Sequence, residues 1–189
     1  MEEKSVSSTV SLYFELFHLK QLYRQGWLQR GIPEARCETV AEHSFAVAML
    51  AMFVADQHFP HLDSERVLRI ALIHDLGEIH AGDLTPADQV PSAEKHRQER
   101  ESLEQVLELH PEKSRYLELW EEYETGRSPE ARLVREIEKL EMALQASVYE
   151  HEGLSELQEF FTSTQEAVSE PVLREILEEL KALRNSTKC

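Results

Sequence analysis

The segment ALIHDLGE, residues 71–78, decides the fold class and points to chemistry, because it sets a histidine beside an aspartate within a helical apolar pattern. At helical spacing His74 shares a face with Ile70, and Asp75 shares one with Leu68. A buried carboxylate is costly unless it is paired or bound to a cation. One cation would satisfy both side chains, so the segment predicts half of a metal site on a helix.

The helical pattern continues along the chain, whereas the alternation typical of strands is weak. Thr39 and Glu42 have the spacing of a capping box, which predicts a helix start. Ser128 followed by Pro129 predicts another start, because proline fits the first helical position. The predicted helices cover roughly residues 9–24, 39–57, 63–79, 92–109, 111–124, 128–150, a short stretch after 153, and 171–184.

These helices predict one all-α domain, a single helical bundle that spans residues 1–189. Within it we expect the metal-binding core at about 12–150 and C-terminal helices at about 153–185. A chain of this length, with 41% hydrophobic residues, can bury such a core without disulfides.

The charge and the cysteines restrict the partners and the compartment. A formal net charge of −16 disfavours nucleic acid and anionic membrane as partners, because like charges repel. Cys37 and Cys189 lack the spacing of a disulfide framework and fit a reducing cytosol. The sequence has neither a signal-peptide core nor an apolar span of roughly 20 residues. We therefore expect a soluble, cytoplasmic protein.

A second polar side chain lies on an apolar helix face upstream. His43 aligns with Val47 and Leu50 on the inward side of its helix. An isolated histidine in such a place is most simply a core residue bonded to a backbone carbonyl. Because His74 and Asp75 present the same anomaly, one shared cation explains all three, and His43 is a candidate ligand.

A fourth ligand is expected from a distant helix. Glu138 lies at the edge of an apolar stripe and is the first candidate, while Glu136 and Glu141 remain alternatives. A mixed set of nitrogen and oxygen ligands suits Mn²⁺, Co²⁺, Fe²⁺, Ni²⁺ or Zn²⁺ and leaves positions for water and substrate.

Two further side chains are candidates for the chemistry. Glu78 follows His74 by one turn of the predicted helix, so it can act as a general acid or base; the alternative is a surface glutamate at a helix end. Lys95 opens the densest basic patch, residues 95–100, which can grip a phosphate. Such a patch is more often a solvated helix face with pairs between residues four apart.

Together these motifs resemble the HD-domain superfamily of metal-dependent phosphohydrolases, in its 5′-deoxynucleotidase branch. The resemblance covers about residues 16–180. A bare His-Asp pair is a weak motif, but the ordered series is specific. Its members are ETVAEHS at 38–44, ALIHDLGE at 71–78, GDLTPAD at 82–88, EKHR at 94–97, LWEEYE at 119–124 and EMALQA at 141–146.

The resemblance implies a role for each matched residue. His43, His74 and Asp75 match metal ligands, and Glu138 stands where the family has an aspartate as the last ligand. The extra methylene of Glu138 moves its carboxylate outward by about 1.5 Å. The other matches are a catalytic carboxylate at Glu78, a deoxyribose contact at Asp83, an aromatic near the sugar and base at Trp27, and a phosphate-binding arginine at Arg24 or Arg30.

The resemblance further implies a homodimeric all-α enzyme that holds one divalent ion, whether Mn²⁺, Co²⁺, Zn²⁺, Fe²⁺, Ni²⁺ or Mg²⁺. The expected reaction is hydrolysis of deoxyribonucleoside 5′-monophosphates to deoxynucleoside and phosphate. Two alternatives remain open: an HD phosphohydrolase for a cyclic nucleotide, a nucleoside triphosphate or a guanosine polyphosphate, and a non-catalytic metal-binding scaffold.

Overall fold

The computed structural model describes residues 7–187, and their regular structure is helical, as the sequence predicts. An isolated β-bridge joins Tyr23 to Thr39. The remaining ends of the expected 1–189 domain, with Cys189, lie outside the described residues. The α-helices are α1 Ser8–Leu19, α2 Gln25–Leu28, α3 Val40–His58, α4 Ser64–Ile73, α5 Glu78–Ala81, α6 Ser92–Val106, α7 Lys113–Thr125, α8 Pro129–His151, α9 Gln158–Ala167 and α10 Pro171–Thr187.

The longest helices begin where their capping residues predict. The Thr39 hydroxyl accepts from the Glu42 N–H, and the Glu42 carboxylate accepts from the Thr39 N–H at 2.8 Å, which completes the capping box of α3. At the start of α8, the Ser128 hydroxyl accepts from the Ala131 N–H at 3.0 Å. Both helices therefore have satisfied amino-terminal backbone groups.

Helix α8 forms the centre of the bundle, because it packs against α3, α4, α7, α9 and α10. Its inward face is fully buried at Val134, Ile137 and Leu140. Helices α3 and α4 pack against each other as well as against α8. The amino-terminal half of α3 and the carboxyl end of α4 thus meet beside α8, where the polar side chains of the candidate site come together.

One predicted helix is shorter than the sequence indicated. The expected helix at 63–79 ends at Ile73, and a turn at residues 74–77 precedes the short α5. In this turn the Leu76 N–H donates to Ile73 and the Glu78 N–H to Asp75, each three residues back. The backbone of Gly77 approaches α6 so closely that a Cβ atom there would lie 2.8 Å from the Glu99 carbonyl oxygen. The turn can therefore pack this closely against α6 only with glycine at position 77.

The amino-terminal region also differs from the single helix expected at residues 9–24. Helix α1 ends at Leu19, and the stretch between it and α3 contains α2 and a 3₁₀ turn, Glu34–Arg36. Within residues 7–187, the helices are all too short or too polar to cross a bilayer.

Candidate metal centre

Three potential ligand atoms meet between α3 and the turn after α4. His43 extends from α3, and His74 and Asp75 follow the last residue of α4. The Oδ2 atom of Asp75 lies 3.2 Å from Nε2 of His74 and 3.7 Å from Nε2 of His43. All three ligand atoms lie within 4.8 Å of one another, a spacing that one divalent ion can bridge.

The ligand atoms of this cluster make no hydrogen bond to the part of the chain that the structure describes. Within residues 7–187, Nε2 of His43, Nε2 of His74 and Oδ2 of Asp75 are buried without a hydrogen bond. Buried polar atoms normally find a partner, since leaving one unsatisfied costs about 1–3 kcal/mol. Three such atoms facing one point fit a bound cation, which would satisfy them together.

The opposite nitrogen of each imidazole is held in place. Nδ1 of His43 lies 2.8 Å from Oε2 of Glu141, and Nδ1 of His74 donates to the Ala71 carbonyl at 2.7 Å. Such contacts orient the ring and leave Nε2 for a metal. Burial and the nearby charge of Arg24 lower the pKa of His43 to about 4, so its imidazole is neutral at pH 7, as a ligand must be.

Glu78 places a second carboxylate at the edge of the cluster. Its side chain is nearly fully buried, and its Oε2 atom has no hydrogen-bond partner within the described residues. Burial and the negative charge of Asp75 raise the pKa of Glu78 well above its usual range. Burial alone would also raise the pKa of Asp75, but His74 and Arg24 hold it well below its usual range. Two neighbouring carboxylates therefore differ in proton affinity.

Arg24 supplies the positive charge of the site. Its Nη1 atom donates to Oδ1 of Asp83 at 2.8 Å and lies 3.7 Å from Asp75 Oδ2 and 3.9 Å from Glu78 Oε2. The other oxygen of Asp83 accepts from the Gln25 N–H at 2.5 Å. Asp83 thus anchors the Arg24 guanidinium to the start of α2, facing the acidic side chains.

The carboxylate of Glu138 lies near the cluster but outside the three-ligand group. Its Oε2 atom accepts from the Tyr123 hydroxyl at 2.8 Å, and Oε1 accepts from Lys139 Nζ at 2.9 Å. Burial opposes its ionisation, but the charges of Lys139 and His74 lower the pKa of Glu138 to about 2. Glu138 is therefore a permanent negative charge beside the histidines.

Lys95 approaches the site from α6. Its Nζ atom donates to the Leu84 carbonyl at 3.2 Å and lies 3.4 Å from Oε1 of Glu99. Burial by itself would lower the pKa of Lys95, but the charges of Glu99 and Glu78 raise it, so the ammonium remains charged.

Comparison with known proteins agrees with this arrangement. The model of the HD domain family matches residues 16–181. The chain belongs to the HD domain family. The protein named 5′-deoxynucleotidase HDDC2 is 41% identical in Bos taurus and 40% in Homo sapiens, over 172 residues that cover 89% of this chain and 82% of each relative.

Solved structures support the HD fold independently. A conserved hypothetical protein from Pyrococcus furiosus superimposes with a TM-score of 0.79 at 34% identity, covering 92% of this chain and 99% of its own. A protein from Magnetospirillum magnetotacticum, described as a predicted metal-dependent phosphohydrolase, gives a TM-score of 0.72 at 26% identity and covers 96% and 93%. The likeness extends across nearly all of this HD domain.

Trp27 and Arg30 lie outside the three-ligand group, although Trp27 approaches it through Glu38, which offers a ligand atom within 4.8 Å of one from His43. Trp27 is only 2% exposed, lies against the ring of Phe160 and donates from its indole N–H to Glu38 at 2.7 Å. It therefore presents no free face to a nucleotide base. Arg30 pairs with Glu159 at 2.7 Å on the outer side of α9. Of the two arginines in question, only Arg24 lies at the cluster.

The sequence pattern does not predict two groups that support the site. It offers Glu141 only as an alternative ligand, yet Glu141 contacts the rear nitrogen of His43. Tyr123, which donates a hydrogen bond to Glu138, lies within LWEEYE without a separate signal of that role. For Glu141 a signal exists in the sequence, because at helical spacing it shares the buried face of α8 with Val134 and Ile137.

Proposed function

We propose that this chain is a metal-dependent phosphohydrolase that converts deoxyribonucleoside 5′-monophosphates to deoxynucleosides and phosphate. The observation that carries the proposal is the convergence of three buried ligand atoms without hydrogen bonds, from His43, His74 and Asp75. The relatives named 5′-deoxynucleotidase supply the substrate class. We also propose that the protein is a homodimer and acts in the cytoplasm.

In this proposal His43 and His74 bind the divalent ion through Nε2, and Asp75 binds it through Oδ2. The ion would supply Lewis acidity toward a phosphate oxygen and lower the pKa of a water molecule. Glu138 is the proposed fourth ligand, since each of its oxygens keeps a second lone pair beside its present hydrogen bond. The metal is one of Mn²⁺, Co²⁺, Zn²⁺, Fe²⁺, Ni²⁺ or Mg²⁺.

Glu78 is the proposed general acid or base. Its Oε2 atom is buried, unpartnered and close to Asp75, so it can accept a hydrogen bond from a water placed at the cluster. A carboxylate in this position can orient the attacking water and transfer its proton. The side chain reaches the cluster from the first residue of α5 rather than from a continuous helix.

The cationic side chains are proposed to bind the phosphate. Arg24 is anchored by Asp83 and aimed toward Asp75, and Lys95 adds a second charge from α6. Asp83 has accepting lone pairs beyond those used by Arg24, so it can also receive the sugar hydroxyl. We propose that Trp27 supports the site through its hydrogen bond to Glu38.

The test is phosphate release from deoxyribonucleoside and ribonucleoside 5′-monophosphates by metal-stripped protein reloaded with each divalent ion. We expect metal-dependent release that favours the deoxy series. Release confined to another nucleotide would replace the substrate assignment, and no release by protein that has bound metal would favour a non-catalytic scaffold.

Two matched variants test the residue roles. Glu78→Gln should lose turnover by about 10²–10⁴-fold while it keeps its metal content. Arg24→Gln should raise KM for the monophosphate, whereas Arg30→Gln, at the exposed ion pair with Glu159, should leave KM unchanged. Equal effects of the two arginine variants would remove Arg24 from the phosphate site.

A further inference from the structure

A second cluster of metal-ligating side chains lies between α1 and α5. It consists of Glu15 and His18 on α1 and His80 on α5. One ligand atom from each residue lies within 4.8 Å of the other two. This Glu-His-His cluster shares no residue with the proposed metal centre.

The distances place the Glu15 carboxylate in the middle of the Glu-His-His cluster. Its Oε2 atom lies 3.0 Å from Nε2 of His80 and 3.9 Å from Nδ1 of His18. The two imidazole rings meet edge to face, with 5.8 Å between their centroids. A small cation therefore has three donors within reach and open space for water, because about half of the His18 side chain is exposed.

Glu15 provides a separate indication of a ligand. Its Oε2 atom is buried, yet within the described residues it has no hydrogen bond, even to the nearby His80. A plain surface ion pair would orient an imidazole N–H toward this oxygen. The Glu15 oxygen therefore keeps its lone pairs available for a metal, although Nε2 of His80 lies only 3.0 Å away.

Local structure fixes the positions of the three side chains. Glu15 and His18 are three residues apart on α1, so they occupy neighbouring positions on one face. A Glu-x-x-His pair on one helix is a known way to present two metal ligands together. The His80 N–H donates to the Ser102 hydroxyl at 3.0 Å, which fixes α5 against α6.

We infer that Glu15, His18 and His80 bind a second divalent transition-metal ion, separate from the proposed catalytic ion. Two imidazoles and one carboxylate favour Zn²⁺, Ni²⁺ or Cu²⁺ over the oxygen-preferring Mg²⁺ and Ca²⁺. The ion would join α1 to α5, the helix that begins with Glu78. Binding therefore stabilises the position of α5 within the folded chain.

The test counts Zn²⁺ ions bound to the metal-stripped full chain by equilibrium dialysis and elemental analysis at pH 7.5. We expect the wild type to bind two ions, and His18→Gln and His80→Gln to bind one. His58→Gln changes an exposed histidine at the end of α3, outside both clusters, and should still bind two. Glu15→Gln gives a further variant in case His80→Gln does not fold, which far-UV circular dichroism would reveal.

The outcomes separate this inference from the proposed function. Equal Zn²⁺ binding by the wild type, His18→Gln and His80→Gln would overturn the second site. His18→Gln loaded with one equivalent of metal should release phosphate as the wild type does, because His18 lies outside the proposed catalytic machinery. A protein that binds two ions but hydrolyses no nucleotide would contradict the proposed function and leave the second site standing.

Discussion

Gly77→Ala tests whether the tight contact between the turn at 74–77 and α6 positions the site. The backbone of Gly77 has φ −62° and ψ −22°, so alanine fits its conformation without strain. The added Cβ would lie 2.8 Å from the Glu99 carbonyl oxygen and 2.9 Å from the Glu99 Cβ. Ordinary contacts begin at 3.4 Å, so the oxygen must retreat by about 0.6 Å, and a backbone atom cannot do this by changing a rotamer.

The energetic cost follows from two opposing effects. Overpacking of this kind costs about 1–3 kcal/mol, while replacing glycine by alanine restricts the unfolded chain and returns about 0.4–1 kcal/mol. We expect a net loss of about 1–2 kcal/mol, which lowers Tm by about 2–8 °C for a chain of this size. Because Glu78 directly follows Gly77, the same displacement should lower kcat for the proposed phosphate release.

Thermal unfolding and steady-state phosphate release measure these effects. Gly26→Ala is the matched control, since the nearest atom to its added Cβ is in Phe160 at 4.0 Å, an ordinary contact. The control should keep its kcat, and its Tm should not fall, because the same restriction of the unfolded chain adds about 0.4–1 kcal/mol with no overpacking to oppose it. If Gly77→Ala matched Gly26→Ala in both measurements, the argument that the close contact at Glu99 positions Glu78 would be wrong.

Three further changes test other parts of the molecule. Glu141→Gln should weaken metal binding by about 10–100-fold in a competition titration, because it alters the carboxylate that contacts Nδ1 of His43. Glu136→Gln, which changes a contact to Ser169, should leave the affinity unchanged. Equal affinities of the two variants would show that Glu141 does not support the ligand His43. Burial raises the pKa of Glu99 to about 7. The neutral Glu99 carboxyl therefore contributes its full stability to the fold below pH 4.5, and this contribution is lost as the pH rises through 7. Glu99→Gln should therefore gain in Tm relative to the wild type between pH 5 and pH 8, and a constant difference would contradict the shift. Ser128→Ala should lower the stability by about 1 kcal/mol and Tm by about 2–4 °C, since α8 loses its cap.

The ligand residues show what local sequence patterns can predict. His43, His74 and Asp75 stood out because each interrupts an apolar helix face, and the structure places their side chains within one cluster. The break in the helix before Glu78 could not be predicted from such a local pattern. The helix ends at Ile73, and Gly77 in the following turn packs against Glu99 of α6, which lies far along the sequence.

The sequence by itself determined the all-α class and the starts of the long helices, because periodicity and caps act between residues three or four apart. Only the tertiary structure decided which arginine lies at the cluster and what each glutamate of α8 contacts. Arg24 meets Asp83 from 59 residues away, and Glu141 meets His43 from 98 residues away. Such pairs form only when the helices pack together. The residues next to each partner in the sequence do not indicate the contact.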